Sequence, residues 1–198
     1  MKIGILGAGG IGQAYARHFA AAGYRVVLSN SRGPESLADV VCKIGPNAEA
    51  GTVADAAAAE VVFLAITWPH LPTVLGRLVP WNNRIVIDST NAILPGFVFA
   101  DLGGRTSSEV VASLVPGARL VKAGNTLPTA VAEEDPRRNG GNRVIFLSGD
   151  HAEANALVAE IFARSGFAPV DLGGLIAGGR LQQYPGGTLA GLNLFKID

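Results

Sequence analysis

Three glycines near the start of the chain, Gly7, Gly9 and Gly12, have the spacing G-x-G-x-x-G. Gly7 allows a sharp turn, Gly9 lets the backbone approach a pyrophosphate closely, and Gly12 lets a helix pack against a strand. An apolar run at 2–6 precedes them, and a helical pattern and a second apolar run at 25–28 follow. This is the context of a dinucleotide-binding fingerprint, with the phosphates at the helix N-terminus. The alternative is a tight turn in an α/β domain that binds no nucleotide.

The end of the second predicted strand indicates which dinucleotide the chain prefers. NAD-specific proteins usually have a carboxylate there, which binds the ribose 2′-hydroxyl and would repel a 2′-phosphate. This chain instead has Ser29, Asn30, Ser31 and Arg32, and the first carboxylate is that of Glu35. We therefore expect Ser31 and Arg32 to bind the 2′-phosphate of NADP(H). The alternative is that Arg32 is a solvated loop residue and Ser31 a helix N-cap.

Polar and small residues follow the next three predicted strands. Because ligands bind at the carboxyl ends of parallel strands, we expect these residues to lie on the same rim as the glycines. Ala65 and Ala123 would leave room for a flat ring. Amide and hydroxyl groups that could orient a carboxamide come from Thr67, Ser89, Asn91, Asn125 and Thr126. Ordinary loop capping by these residue types is the alternative.

Groups for acid–base catalysis are scarce, and we predict no catalytic side chain and no metal site. His70 is near the rim, whereas His18 is expected on the surface and His151 at a helix start. Asp88 ends a strand, where an active-site carboxylate and a turn-stabilising role are both possible. An alcohol dehydrogenase needs a Lys, His or Tyr to move a proton, whereas hydride transfer between two rings needs mainly stacking and close approach. The residues favour the second chemistry.

Composition narrows the class of protein. The 198 residues are 48% hydrophobic and 16% charged, with a formal net charge of zero. These values predict one domain, or a large and a small lobe, and indicate neither nucleic-acid binding nor a membrane span. We expect a cytoplasmic protein, because the predicted first strand leaves no room for a signal peptide. The single cysteine, Cys42, is expected to be buried in a helix.

Strand and helix patterns alternate along the chain, which predicts an α/β fold with a doubly wound, mostly parallel sheet. Residues 92–104 read as a long loop, residues 136–142 as a break, and residues from 173 onward as irregular and glycine-rich. The predicted strands are 2–6, 25–28, 48–51, 61–66, 84–88, 119–123, 143–148 and 168–172. The predicted helices are 13–22, 35–44, 52–59, 69–79, 106–114 and 152–165.

Six segments also carry a family resemblance. They read KIGILGAGGIGQAYARHFAAAGY, SNSRGPESL, VVFLAITWPHL, RIVIDSTNAI, LVKAGNTLP and VIFLSGDHAEANALVAEIFARSGFAPVDLGGLIAGGRL. On these segments the chain resembles the NADPH-dependent reductases of the deazaflavin coenzyme F420, the F420:NADP oxidoreductases. The resemblance implies an NADP-binding Rossmann domain at 1–135, a small C-terminal α/β lobe at 136–198, and a substrate cleft between them. It also implies a homodimer and direct hydride transfer without an obligatory protein base.

The resemblance implies roles for individual residues. Those expected at the pyrophosphate are Gly7, Ala8, Gly9, Gly10, Ile11 and Gly12, with Ser31 and Arg32 at the 2′-phosphate. Ala65, Ile66 and Thr67 would line the adenosine and ribose path, and Ala123 would approach the nicotinamide. Our candidates for contact with the second substrate are His70, Gly124 and Asn125.

The chain departs from the family pattern at the substrate end. Gly124 stands where relatives often have Phe, which would widen or loosen the pocket, and Gln182 and Gln183 stand where many have an acidic residue. The tail at 184–188 could form part of a lid or a dimer contact. We expect an NADP(H)-dependent oxidoreductase that passes hydride to a ring-type acceptor, first of all F420. The alternatives are a flavin, quinone, small carbonyl or imine as acceptor, or a non-catalytic NADP(H) sensor.

Overall fold

A twisted, mostly parallel sheet with helices on both faces forms the core of the protein. The computed structural model describes residues 1–78, 80–138 and 140–197. The strands are β1 Lys2–Leu6, β2 Arg25–Ser29, β3 Ala48–Ala50, β4 Val61–Leu64, β5 Ile85–Asp88, β6 Ile93–Leu94, β7 Val98–Phe99, β8 Arg119–Ala123, β9 Arg137–Arg138, β10 Gly141–Gly149, β11 Ala168–Asp171 and β12 Phe195–Ile197. Among the described residues the main sheet has the order β3-β2-β1-β4-β5-β8-β10-β11, β9 and β12 pair with β10, and β6 and β7 form a separate hairpin.

The helices alternate with the strands and cover both faces of the sheet, as the sequence pattern predicts. Short 3₁₀ turns at Pro34–Leu37, Trp68–His70 and Pro95–Phe97 lead into the elements that follow them. The α-helices are α1 Gly10–Ala21, α2 Ala38–Ile44, α3 Val53–Ala57, α4 Leu71–Leu75, α5 Ser107–Leu114, α6 Thr129–Ala132, α7 Ala152–Arg164 and α8 Leu175–Gln182. The α/β doubly wound fold class is therefore confirmed.

Two apolar clusters, one on each face, hold these layers together. On the first face, aromatic rings from α1, β4 and α7 meet, and the centroids of Tyr15 and Phe63 are 4.9 Å apart. On the second face, residues of α3, α4, α5 and α8 belong to a cluster that includes the fully buried Trp81. Because the central strands are buried on both sides, they are almost continuously apolar, as a parallel sheet requires.

The last strands continue the same sheet. Strand β10 pairs antiparallel with β8 and parallel with β11, so the main sheet runs unbroken past the predicted break at 136–142. Residues 137–138 of that loop form β9, and Asn139 lies outside the described residues. The division into units at 1–135 and 136–198 stays a prediction.

Three predicted irregular or helical segments differ in the structure. The loop at 92–104 contains a hairpin, β6 with β7, in which Ile93 faces Phe99. The glycine-rich stretch after 173 contains the helix α8, whose Gly178 packs so closely on β10 that a Cβ there would lie 2.5 Å from that of Ser148. The tertiary contact therefore outweighs the low helix propensity of glycine. The predicted helix at 69–79 is shorter, and Val79 lies outside the described residues.

Two side chains are placed differently from the sequence-based expectation. Cys42 is exposed, because the inward-facing positions of α2 follow the Leu37, Val40, Val41 and Ile44 spacing and Cys42 falls off that face. His18, expected on the surface, is partly buried: its Nε2 donates to the Ala132 carbonyl (2.7 Å). Burial is also the main cause that lowers the pKa of His18.

Candidate active site

The glycine turn has the geometry that its sequence predicts. Gly7 has φ +108°, a region that favours glycine, and its amide donates to the Ser29 carbonyl (3.0 Å). Gln13 closes the first helical turn by donating its amide to the Gly9 carbonyl (2.9 Å), so the preceding amides of α1 lie at the free helix end. A Cβ on Gly9 would meet no protein atom within 4 Å. The space above Gly9 is therefore open to a ligand, beside the positive end of the helix dipole.

Gly12 of the fingerprint and its neighbour Gly10 are needed for packing. A Cβ on Gly12 would overlap the carbonyl oxygen of Gly7, and one on Gly10 would overlap the Thr129 methyl group. Neither glycine lines the cavities described below. They let α1 approach the turn and the rim closely, which agrees with the packing role predicted for Gly12.

The loop after β2 holds Ser31 and Arg32 at the surface. Asn30 organises this loop: its Oδ1 accepts the Arg32 amide (2.9 Å) and its Nδ2 donates to Ser36 Oγ (2.9 Å). Ser29, at the position typical of an NAD-binding carboxylate, is fully buried and donates its hydroxyl to the Ile5 carbonyl (2.9 Å). The N-cap of the following 3₁₀ turn is Gly33, so the alternative of Ser31 as an N-cap is wrong.

Three cavities that share wall residues lie in a row along the carboxyl ends of the strands, and we call this row the trench. The first, about 630 Å³, runs from Gly7, Ala8 and Gly9 to Ser31 and Arg32. The second, about 590 Å³, shares Ala65, Ile66, Thr67 and His70 with it. The third, about 410 Å³, lies beyond Ile11 and includes Gly124 and Asn125. We call them the phosphate, middle and distal cavities.

Ala123, like Gly10 and Gly12, is a predicted site residue that does not line the trench. Its side chain is fully buried in the cluster under α1, directly before Gly124. Gly124 lines the distal cavity, but a Cβ there would lie only 3.2 Å from the Tyr15 ring, at a backbone φ of +78°. Because residue 124 has no side chain, the Tyr15 ring can pack beneath the rim, and the distal cavity stays open above it.

An amide network shapes the distal cavity. Asn125 Nδ2 donates to the Gln182 carbonyl (2.6 Å) and to Asn91 Oδ1 (3.1 Å), and Asn91 Nδ2 donates to the Asn125 carbonyl (3.1 Å). Gln182 is itself fully buried and donates to the Lys122 carbonyl (2.9 Å) and Ser148 Oγ (3.0 Å). The rim residues Asn91 and Asn125 are therefore fixed by α8, which the sequence did not predict.

Asp88 is occupied within the protein rather than presented to the trench. Its carboxylate accepts the Thr90 amide (2.9 Å) and hydroxyl (2.6 Å), the Ser108 hydroxyl (2.8 Å) and Lys122 Nζ (3.2 Å). Both Asp88 and Lys122 are fully buried. The turn-stabilising interpretation of Asp88 therefore agrees with its contacts, and the ion pair supports the 89–91 loop from below.

Several cavity residues were missed by the reasoning from sequence. In the phosphate cavity these are Val53, Thr73, Val74 and Arg77. The i, i+4 spacing of Thr73 and Arg77, just after the rim of β4, could have revealed them. At the other end Ile93 and Phe97 line both the middle and distal cavities, and Tyr184 lines the distal one. No local motif marks these three residues, because the chain brings them to the rim from distant loops.

Few titratable groups line the trench. Among the described residues of its walls they are Arg32, His70, Arg77 and Tyr184. His70 lies between the phosphate and middle cavities, away from the residues that line the distal cavity. Across residues 1–78, 80–138 and 140–197, no three His, Cys, Asp or Glu side chains form a group able to hold a metal ion. In those same residues, no helix is long and apolar enough to cross a membrane.

Comparison with known families agrees with this geometry. Residues 2–92 match the family described as NADP oxidoreductase, coenzyme F420-dependent. Over these residues, slightly less than half of the chain, the protein is similar to this NADP-dependent oxidoreductase family. The matched residues include the glycine turn, the loop after β2 and the rim up to Ala92.

Individual relatives extend the similarity beyond residue 92. A hypothetical protein from Sinorhizobium meliloti is 47% identical, with a TM-score of 0.93 over 99% of this chain and 96% of that chain. A candidate F420-dependent NADP reductase from an Arthrobacter species is 26% identical, with a TM-score of 0.71 over 88% of this chain and 86% of that one. Metalloreductase STEAP3 of Rattus norvegicus is 28% identical over 93% of this chain. The chain spans 36% of the length of that metalloreductase.

Proposed function

We propose that this protein transfers hydride between NADP(H) and a flat ring-type acceptor, with coenzyme F420 as the acceptor. One observation carries the proposal: a row of cavities with shared walls leads from an open glycine turn to an end cavity whose described walls hold one titratable group, Tyr184. The Arthrobacter relative, named as a candidate F420-dependent NADP reductase, supports the choice of acceptor.

The phosphate cavity fits NADP(H). The open space at Gly9 and the free end of α1 suit a pyrophosphate, with Ala8, Gly10 and Ile11 in the same turn. Ser31 and Arg32 suit a 2′-phosphate, and Arg77 adds a second guanidinium to the same wall. Ala65, Ile66 and Thr67 line the path onward, and the role of Ala123 near the nicotinamide stays a prediction.

The distal cavity would receive the acceptor beside the nicotinamide. Ile11 lines both the middle and distal cavities, so it lies where the two rings would meet. Gly124 and Asn125 would contact the acceptor, and His70 would lie nearer the ribose than the acceptor.

The protein's contribution to the chemistry is positioning rather than proton transfer. NADPH supplies a hydride from its dihydronicotinamide ring when it is bound. The Asn91–Asn125–Gln182 network holds the rim rigid, and the apolar side chains Ile11 and Ile93 exclude water from the site of transfer. Tyr184 is the titratable group among the described residues of the distal wall, and the reduced acceptor can take its proton from solvent.

The proposal is tested with purified protein and NADPH that carries deuterium at both C4 positions. With F420 as acceptor, we expect rapid NADPH oxidation and transfer of the deuterium to a carbon of the reduced deazaflavin, where it does not exchange with water. Reduction of F420 without deuterium transfer would contradict direct hydride transfer. Tight NADPH binding without oxidation by F420, FMN or small carbonyl compounds would instead favour the sensor alternative.

A flavin is the second candidate acceptor. Its isoalloxazine ring has the same flat three-ring shape, and the similarity to a rat metalloreductase favours an acceptor other than F420 in part of the wider group. Oxidation of NADPH by FMN but not by F420 would select this candidate while keeping the mechanism.

We also propose a homodimer and two units, 1–135 and 136–198. Exposed apolar side chains near the C-terminus, including Leu192, Leu194 and Ile197, support a subunit contact there. Light scattering during size-exclusion chromatography should give twice the 20.4 kDa mass of the chain. A mass equal to that of one chain would contradict the dimer.

A further inference from the structure

Phe97 has an unfavourable backbone conformation and an unfavourable exposure at once. Its φ is +62°, in the left-handed region that bulky side chains rarely adopt. Its side chain is 70% exposed, so burial does not compensate for that conformation. Asn or Gly would satisfy the same turn more easily. An outlier of this kind, on the wall of a cavity, points to a functional role.

The position of Phe97 indicates what that role is. Phe97 follows Gly96 in the tip of the β6–β7 hairpin and lines both the middle and distal cavities. It shares this double position with Ile11, Ser89, Asn91 and Ile93. Ile11, Ser89 and Asn91 belong to the floor or the rim, and Ile93 belongs to the base of the hairpin. Phe97 is the aromatic member of this set.

The base of the hairpin is anchored while its tip overhangs the trench. Ile93 and Leu94 pair with Phe99 and Val98, and the Phe99 ring meets the Tyr184 ring edge-on with centroids 6.1 Å apart. Tyr184 in turn donates its amide to Asn91 Oδ1 (3.3 Å). The hairpin is therefore tied to the far wall of the distal cavity, and Phe97 projects from a supported frame.

We propose that Phe97 is a specificity-determining residue whose ring stacks on the acceptor, so that the site selects flat heteroaromatic ring systems over small carbonyl compounds. This inference rests on the proposed function and names the side chain that recognises the second substrate. Aromatic stacking suits a planar ring because every such ring presents a π-face, whatever its substituents.

The test compares Phe97→Asn with Phe97→Tyr and Val98→Asn. Asn tolerates the left-handed backbone, so the first variant removes the ring without adding strain. Phe97→Tyr keeps the ring. Val98 is also exposed, at 57%, on the same hairpin, but it lines neither cavity, so Val98→Asn controls for loss of apolar surface.

Each variant is assayed with NADPH and F420 or FMN, and ring-acceptor binding is measured separately by fluorescence titration. For Phe97→Asn we expect the KM and the dissociation constant of the ring acceptor to rise about tenfold or more. NADPH affinity and thermal stability should not fall, and Phe97→Tyr should behave like the wild type. Val98→Asn should leave both acceptor constants unchanged.

The two proposals fail in different ways. Turnover by the wild type with unchanged acceptor constants in Phe97→Asn, or equal effects in Phe97→Asn and Val98→Asn, would overturn the role of Phe97 alone. A change in oligomeric mass without a change in acceptor binding would assign Phe97 to a subunit contact and also overturn it. Acceptor binding that depends on Phe97 but gives no turnover would support the inference against the proposed oxidoreduction. Failure of the wild type to bind either acceptor would overturn both.

Discussion

The two ends of the trench are built in different ways. At the phosphate end, the first turn of α1 and the loop at Asn30–Ser36 are held by hydrogen bonds between residues a few positions apart, and Gly7 adds one longer contact, to the Ser29 carbonyl. At the distal end, Asn91, Asn125 and Gln182 meet across separations of 34 and 57 residues. The phosphate end therefore depends mostly on local hydrogen bonds, whereas the distal end forms only when distant segments of the chain come together.

The largest effect is expected from Gly9→Val, which tests the local end. Gly9 has an ordinary φ of −73°, and a Cβ there meets no protein atom, so the fold should tolerate the change. The added side chain would fill the space proposed for the pyrophosphate, and the affinity for both NADPH and NADH should fall at least about 100-fold. Calorimetric titration measures the affinity, and thermal unfolding should be unchanged. Retained affinity would remove Gly9 from the cofactor site.

Lys122→Met tests the distal end. This change leaves the buried Asp88 carboxylate without its ion-pair partner, and we expect a loss of about 3–5 kcal/mol in the free energy of unfolding. Urea unfolding measures the loss. The double variant Lys122→Met, Asp88→Asn should recover part of it, because no buried charge is left unpaired. Equal stability of the single and double variants would show that the charge pair is not the cause.

Arg32→Ala tests whether the loop after β2 distinguishes NADPH from NADH. It should weaken NADPH binding by about 1.5–3 kcal/mol, the range for a charge-assisted hydrogen bond, and change NADH binding little. Arg77→Ala is the matched comparison, since its guanidinium lines the same cavity without lying in the β2 loop. Equal losses for NADPH and NADH in Arg32→Ala would refute the assignment of the 2′-phosphate site.

The smallest effect concerns pH and the helix α6 beside the distal rim. Burial lowers the pKa of His18, whose Nε2 is bonded to the Ala132 carbonyl, with Arg17, Asp135 and Arg137 as charged neighbours. Below the ordinary value near 6.5, the unfolded chain binds a proton that the folded chain does not. The contribution of His18 to the free energy of unfolding is therefore complete above that pH. It is lost as the pH falls towards the lowered pKa that His18 has in the folded protein.

This pH effect is checked by thermal unfolding between pH 5 and 8, roughly the range in which histidine titrates. His18→Gln can still donate to the carbonyl and should flatten the profile, a change of no more than about 4 °C in the midpoint. An identical profile in the variant would assign the pH dependence to other groups.

The same contrast explains what the sequence could predict. The five central strands, the glycine turn and the capped helix α5 follow from adjacent residues, and the structure confirms them. The hairpin and α8 could not be predicted in this way. Their short apolar stretches and glycines carry little local preference, and distant partners such as Tyr184 and Ser148 determine their structure.

For the site residues too, those marked by a local motif could be predicted, and those fixed by distant partners could not. Gly9, Arg32, Thr67 and Asn125 were assigned to a rim that the structure does assemble. Phe97 lies within the predicted loop at 92–104, and no sequence motif marks the buried Lys122. Side chains whose importance comes from a partner dozens of residues away leave no spacing signal in a single sequence.

The buried pair of Asp88 and Lys122 also disfavours a misaligned pairing of the strands β5 and β8. The two residues lie opposite each other on neighbouring parallel strands, β5 and β8. A slip of one residue would turn the lysine to the other face and leave two lone charges in apolar surroundings, which is strongly unfavourable. Central strands made almost entirely of Val, Ile and Leu discriminate poorly between such alignments. The ion pair thus favours one alignment of β5 and β8. In that alignment the loops that follow the two strands begin at the same level of the sheet.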